Sequence, residues 1–401
     1  MLQPDPTPTP ACEGPATMAA LPRNILILMS RTGGGHLASA RALEAEFLRQ
    51  DPQARVTIVD LLTDHISFPF SRLPRTYDTL VNRAPRLWQA MWKVTARRAV
   101  GGSSSALVRY MSQSKLERLI RDCKPDLVVS VHPLVNDLMI PVLARLAPAT
   151  RYVTVVTDLG GIHPLWLHPG NAAIYLPTAK AVAVALARGL PQHRLHTHGL
   201  PIRAEFALAP PARADARLSF GLDPALPVVL VMGGGGGIGP IEAIVEAMAA
   251  ALATTGGRAT AQIAVITAKN DRLRARLAGR SWPVLVVPLG FVDRMSDLMH
   301  ASDLLVTKAG PGSIAEASVR GLPMLIYGFI PGQEAANVDH VVEAGAGLFE
   351  PDPKALAGQA AALLGSDGQR LAGMAAKARG LGRDQATRDI VASILADLPK
   401  A

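Results

Sequence analysis

Two stretches in the last quarter of this sequence carry the side chains with the clearest chemical use. One reads Lys308-Ala-Gly-Pro-Gly-Ser-Ile-Ala-Glu316, and the other, shortly after it, Pro331-Gly-Gln-Glu-Ala-Ala-Asn337. Gly310 and Gly312 flank Pro311 and leave the first amides of a following helix uncovered, and such amides, with the helix dipole behind them, suit a diphosphate. Ser313 adds a hydroxyl donor. Glu316, one turn beyond Gly312, is spaced to accept from a ribose diol. Gln333 and Glu334 place a carboxamide and a carboxylate on a loop, the groups that hold sugar hydroxyls. A capped helix followed by a polar turn accounts for the glycines and the serine, but the spacing of the whole set points to a ligand site.

Such groups need strands and helices that aim them into one cleft. From Asn24 onward short β-branched runs alternate with Ala/Leu-rich helical stretches, the pattern of a parallel sheet wrapped by helices, and the pattern occurs twice. Strands are expected at Ile25–Ser30, Val56–Leu61, Leu127–Val131, Tyr152–Thr157 and Ala173–Leu176, then at Val228–Met232, Gln262–Thr267, Val284–Pro288, Leu304–Thr307 and Met324–Tyr327. Each half opens with a strand running into glycines and a helix: ILILMSRTGGGHLASARAL, with Gly34, Gly35 and His36, and VVLVMGGGGGIGPIEAIVEAM, with Gly233, Gly234, Gly235, Gly236 and Gly237. Two doubly wound domains facing a cleft follow, with ligands at the carboxyl ends of the strands. The expected boundaries are a loose Pro/Thr tail at 1–22, a first domain at 23–207, a Pro/Ala linker at 208–215 (LAPPARAD) and a second domain at 216–401.

Composition narrows the setting. With 401 residues, 49% of them hydrophobic, the chain can bury two cores. Cys12 and Cys123 offer neither a disulfide framework nor a metal-binding spacing, which fits a reducing cytoplasm. No apolar run reaches the roughly 18 residues of a membrane-spanning helix. Between Ser71 and Arg121, eleven Arg or Lys face only Asp78 and Glu117, so this one segment carries a net +9, the formal charge of the whole protein. Arg83, Arg86, Arg97 and Arg98 surround Trp88 and Trp92 there. An amphipathic surface follows, with the tryptophans in the lipid interface and the cations over anionic headgroups; the alternative is a solvated basic helix with its tryptophans in the core. No nucleic-acid motif accompanies the cations, and nucleic acid is not an expected partner.

At GGGHLASARAL, VVTDLGGIHPLWLHPG, HGLPIRAEF and KAGPGSIAEASVRGLPMLIYGFIPGQEAANVDHVVEAGAG the sequence resembles the monogalactosyldiacylglycerol synthases of plants and the processive diacylglycerol glycosyltransferases of bacteria, and more distantly the N-acetylglucosaminyltransferase of peptidoglycan synthesis. The four segments span nearly the whole folded chain. The resemblance implies a GT-B fold of two Rossmann-like α/β domains, an N-terminal one for the lipid acceptor and a C-terminal one for a UDP-hexose. It implies an inverting transfer to diacylglycerol with no metal or other cofactor, on the cytoplasmic face of the cell membrane. It also carries diphosphate or uridine contact to Gly233–Gly237 and Gly310–Ser313, ribose contact to Glu316, sugar contact to Gln333 and Glu334, and donor-site roles to Phe291, Val292 and Asn337.

An inverting transfer needs a general base for the acceptor hydroxyl. His36 is the first candidate, because it sits at the tip of the first glycine loop and a helix N-terminus favours the neutral imidazole; it equally suits capping that loop or binding a lipid phosphate. Asp158, at the end of VVTD, and His163, in GIHPLW, are the second candidates, Asp158 either as base or as the carboxylate that orients an imidazole. His132, His168 and His198, each followed by Pro or Gly, are expected at structural turns. Gly34 and Gly35 are placed beside the acceptor. Galactose is the expected sugar in preference to glucose. The alternatives are a polyprenyl-diphosphate acceptor and a non-catalytic basic membrane-binding protein.

Overall fold

A computed structural model describes residues 23–398 except 33, 73, 75, 78–79, 82–83, 97, 234–238, 254–258 and 366–367, and of 85 and 98–103 the backbone only. The expected tail at 1–22 lies outside the described residues. The first half builds β1 (Asn24–Met29), β2 (Arg55–Asp60), β3 (Leu127–Ser130), β4 (Arg151–Val155), β5 (Ala173–Leu176) and β6 (Leu195–Thr197). The second builds β7 (Val228–Met232), β8 (Gln262–Ile266), β9 (Val286–Leu289), β10 (Leu304–Lys308), β11 (Met324–Gly328) and β12 (Gly347–Phe349). Runs such as Ile25 to Met29 are buried throughout, as strands covered by helices on both faces must be.

The sheets are ordered β2-β1-β3-β4-β5-β6 and β12-β11-β10-β7-β8-β9, with every neighbouring pair parallel. In each sheet the winding reverses once, between β1 and β3 and between β7 and β10. At such a switch point the helices leave to opposite faces and the carboxyl ends of the two central strands open a crevice. Strand β1 leads to α1 (Gly35–Gln50). Helices α2 (Pro85–Thr95) and α3 (Arg98–Cys123) follow β2, and α4 (Pro133–Leu146) follows β3. In the second lobe α5 (Pro311–Arg320) follows β10 and α6 (Ala335–Glu343) follows β11.

The domain boundaries differ from expectation at two points. The last helix, α7 (Ala386–Ala396), returns to the first lobe, where Ile390, Val391 and Ile394 share a core with Ile27, Leu43 and Phe47. These three apolar residues lie on one helical face, and the first sheet offers them the partner they need. The expected linker also runs into a helix, Arg213–Ser219, held to the second lobe by Arg217 on Asp303 at 2.8 Å. The lobes touch directly: Leu159 joins the core of the second lobe, and its N–H donates to Asn337 Oδ1 at 3.2 Å.

Candidate active site

His36 lies in the first turn of α1, beyond β1, and His132 lies just beyond β3, so the switch point of the first sheet brings together two imidazoles. Their ring centroids are 4.7 Å apart, edge to face. Both rings are buried. Burial pushes His36 down to about 4, against a hydrogen bond to the Val131 backbone, and pushes His132 well below its ordinary range, with His36 adding to the effect. Both are therefore neutral at physiological pH. His36 Nδ1 is 3.1 Å from Thr157 Oγ1; a proton on Nδ1 shared with that hydroxyl leaves Nε2 as the basic lone pair. His132 Nε2 meets Thr32 Oγ1 at 3.0 Å, while its buried Nδ1 has no hydrogen-bond partner among the described residues.

Beyond β4 the chain turns through Asp158 and Trp166. The indole N–H donates to Asp158 Oδ2 at 2.7 Å, and the Trp166 ring lies 6.2 Å from that of His36. Asn136 on α4 fixes this turn by donating to the carbonyls of Leu165 and Trp166 while accepting from Tyr152 and Thr154. Asp158 is buried, which pushes its carboxyl up to about 7; the indole N–H opposes the shift and Glu334 adds to it. The fold thus holds a proton that the unfolded chain has released. That contribution is fully present below the ordinary value near 3.8 and is lost as pH rises through 7. Asp158→Asn keeps an acceptor for the indole and cannot ionise. From pH 5 to pH 8 the parent should therefore lose roughly 2 to 3 kcal/mol of stability relative to this variant, read from urea unfolding at the two values. Parallel curves would place the ionised carboxylate in solvent.

On the opposite lobe, Lys308 ends β10 and Gly310 caps α5. Pro311 has no N–H and helix geometry leaves the Gly312 and Ser313 amides without intrahelical partners. Among the described residues a Cβ built on Gly312 would meet nothing within 4 Å, and one on Gly310 only Ser313 Oγ at 3.9 Å, and no described side chain caps the helix N-terminus. Glu334 is buried and tied to Lys308 Nζ at 3.0 and 3.3 Å, and it accepts from the Ile330 N–H at 2.9 Å. Glu316 is equally buried, with both oxygens taken by Arg203 at 2.9 Å. Asn337 is wholly buried, donating to the Ala309 carbonyl at 3.0 Å and accepting from Leu159. Among the described residues no group of three His, Cys, Asp or Glu side chains is placed to hold a metal ion.

The family models agree with the two-lobed site. That for monogalactosyldiacylglycerol (MGDG) synthase matches residues 36–202, and that for the glycosyltransferase family 28 C-terminal domain matches residues 228–356. Monogalactosyldiacylglycerol synthase 1 of Arabidopsis thaliana is 38% identical over 92% of this chain and 70% of its own length. A probable monogalactosyldiacylglycerol synthase 2 of Oryza sativa is 40% identical over 95% and 81%. The chain belongs to the monogalactosyldiacylglycerol synthase family. Its fold is GT-B: the crystal structure of Acinetobacter baumannii MurG superposes with a TM-score of 0.59 at 15% identity, covering 94% of this chain and all of that one. The calicheamicin glycosyltransferase CalG4 gives 0.58 at 15%, with the same coverage.

Within this family member, the residues expected at the site fall into three groups. His36 and Asp158 both lie beyond strand ends of the first sheet, on either side of Trp166, and Gly310, Pro311, Gly312, Ser313, Gln333 and Glu334 lie beyond β10 and β11 of the second. Gly34 and Gly35 are exposed at the start of α1, Gly233 is half-buried beyond β7, and Phe291 is exposed and Val292 half-buried beyond β9. His163 is engaged in structure: Nδ1 accepts from the Leu165 N–H at 3.3 Å, Nε2 is 3.4 Å from Thr95 Oγ1, and burial pushes the ring down to about 4, against a bond to the Trp92 backbone. The Asn337 amide is engaged at both ends, Oδ1 by the Leu159 N–H of the first lobe and Nδ2 by the Ala309 carbonyl of its own lobe. Gly234, Gly235, Gly236, Gly237, Arg83 and Arg97 lie outside the described residues, and only the helical backbone of Arg98 is described.

The tryptophans require a correction. Trp88 and Trp92, expected in the lipid interface, turn inward on α2: Trp92 packs edge-on against His163 at 4.6 Å, and Trp88 against Tyr77 at 5.1 Å. A neighbouring face of α2 instead exposes Leu87, Met91 and Val94 beside Arg86 and Lys93. Both faces are apolar, and composition does not say which one meets protein. His132, expected at a structural turn, lies in the turn that enters α4 and in addition touches His36. Its place after β3, next to the reversal in strand order, is the signal that finds it, as it finds His36 after β1. Trp166, Thr157 and Arg203 carry no such signal.

Proposed function

We propose that this chain transfers galactose from UDP-galactose to the free hydroxyl of diacylglycerol with inversion at the anomeric carbon. The observation that carries the reading is the pairing, across one cleft, of a neutral buried imidazole with a helix N-terminus that no described side chain caps, in a chain that matches the named relatives over nine-tenths of its length. The acceptor oxygen attacks C1 of the sugar as the bond from C1 to the diphosphate oxygen breaks. His36 takes the hydroxyl proton, and the Gly312 and Ser313 amides receive the charge developing on UDP, the task a metal performs elsewhere. Gln333 and Glu334 hold the sugar hydroxyls, and Phe291 and Val292 border the uridine. Incubating the purified chain with diacylglycerol micelles and UDP-galactose, UDP-glucose or UDP-N-acetylglucosamine should yield a monogalactolipid from the first. Transfer from either other donor alone, or only to a polyprenyl-diphosphate sugar, would overturn the reading.

The acceptor is a membrane lipid, and among the described residues no helix is long and apolar enough to cross a bilayer. The docking face on anionic membrane, at the cytoplasmic side of the cell membrane, is the outer surface of α2. Leu87, Met91 and Val94 recur at one side of the helix with 55%, 40% and 46% exposure, with Leu107, Tyr110 and Met111 exposed on α3. An apolar stripe edged by cations lies in the interface and is strengthened by anionic headgroups. Changing Leu87, Met91 and Val94 together to Gln should lower sedimentation with phosphatidylglycerol vesicles by about tenfold or more and leave UDP affinity unchanged. Parental sedimentation of that variant would remove α2 from the docking face.

A further inference from the structure

Of the two side chains offered to the donor sugar, Glu334 is held by its own lobe, through Lys308 and the Ile330 N–H, whereas Gln333 is held from the other lobe. The Tyr77 hydroxyl, on the segment between β2 and α2, donates to Gln333 Oε1 at 2.8 Å. Tyr77 is itself buried, 8% exposed, and Gln333 is half-buried, so this bond is partly shielded from water. A carboxamide is pseudo-symmetric: turned by 180° it exchanges an acceptor for two donors. With Oε1 occupied by the phenol, Nε2 is the end left for a ligand.

A second contact fixes the backbone just before Gln333. Gly332 has φ +84°, and a Cβ built there would come within 2.8 Å of Trp92 Cδ1. The indole therefore lies against the backbone at a position open only to glycine. Trp92 is in turn backed by His163, and Tyr77 by Trp88, whose ring lies 6.0 Å from that of Trp92. Two aromatic side chains of the first lobe, Trp92 and Tyr77, thus touch the sugar loop of the second, and His163 and Trp88 back them.

We propose that Tyr77 is a specificity-determining positioning residue: its hydrogen bond holds the Gln333 carboxamide in one place and orientation against the donor sugar. The proposal rests on the reading of Gln333 as a sugar ligand. Two hexoses that differ in the orientation of one hydroxyl are separated by such a group only while it is held; an amide free to turn accommodates either epimer. Because the holding group sits on the acceptor lobe, the sugar is read in full only when the lobes are together.

The test is a double-mutant cycle on the full chain. Parent, Tyr77→Phe, Gln333→Ala and the double variant are compared in kcat/KM for UDP-galactose and its C4 epimer UDP-glucose, together with the Kd for UDP. Tyr77→Phe keeps the ring and its packing on Trp88. The ratio between the two donors should fall about fivefold, the scale of one neutral hydrogen bond, with UDP affinity unchanged and no further change when Tyr77→Phe is added to Gln333→Ala. Equal losses with both donors, or the same loss in the Gln333→Ala background, would overturn the role of Tyr77 while leaving Gln333 in place. Unaltered donor kinetics in Gln333→Ala alone would overturn the sugar-contact reading and the positioning role with it.

Discussion

His36→Ala should lower kcat by roughly two to four orders of magnitude, the range for loss of a general base, while the Kd for UDP stays at the parental value. The separation follows from geometry. The imidazole is packed among His132, Thr157 and Trp166 in the first lobe, whereas the amides that would hold the diphosphate belong to α5 in the second. A joint loss of turnover and UDP affinity would make His36 a structural contact between the lobes, and normal turnover would pass the base role to Asp158. The pH profile divides the two candidates without mutation. Burial holds His36 at about 4, so it is the free base from pH 5 upward; Asp158, at about 7, is half protonated near neutrality. If His36 is the base, kcat/KM has no acid limb between pH 6 and 8. If Asp158 is, the rate falls about tenfold per pH unit below 7.

The sequence makes the strand ends legible and leaves the cross-lobe contacts hidden, for physical reasons. A strand buried on both faces must be a continuous apolar run, so Ile25–Met29 and Val228–Met232 declare themselves, and a strand passing into glycine and a helix declares the turn. Strands β6 and β12 have three residues each, too few for a period to show. Whether α2 turns Trp88 or Leu87 inward depends on what its neighbours offer, and here His163, Tyr77 and the bare backbone of Gly332 offer flat aromatic and glycine surfaces. Helix α7 shows the same limit: its apolar face is plain in the sequence, but the lobe that receives it is settled by which sheet face is uncovered. Tyr77 and Arg203 reach their partners across 256 and 113 positions and Trp166 reaches Asp158 through a turn, beyond the reach of any local pattern.

Arg203 is the most exacting of these. It leaves the first lobe just after β6 and grips Glu316 on α5 with both arms of its guanidinium, with Glu205 at 3.5 Å and the Phe206 ring 5.4 Å away. Glu316 is pushed up by burial and drawn down by Arg203, so Arg203→Ala leaves a carboxylate in a dry site with the first effect alone. The expected loss is about 3 to 4 kcal/mol at pH 8, below the upper range for breaking a buried pair because Arg203 is one-third exposed. The sign of the pH dependence follows. With its partner gone, the folded Glu316 has a pKa above the ordinary value of 4.5, the fold prefers the neutral acid, and the deficit shrinks as pH falls through that raised value. Unfolding in urea at pH 8 and pH 5 should therefore show Arg203→Ala closer to the parent at the lower pH. Glu316→Ala strands only a guanidinium that can reach water, so its stability cost should be smaller, and its mark should fall on the ligand: if the carboxylate also accepts from the ribose, UDP affinity drops by about tenfold to a hundredfold, the scale of charge-assisted hydrogen bonds. Should Glu316→Ala bind UDP like the parent, the Arg203–Glu316 pair is a strut between the lobes and the ribose is held by other groups of the second switch point.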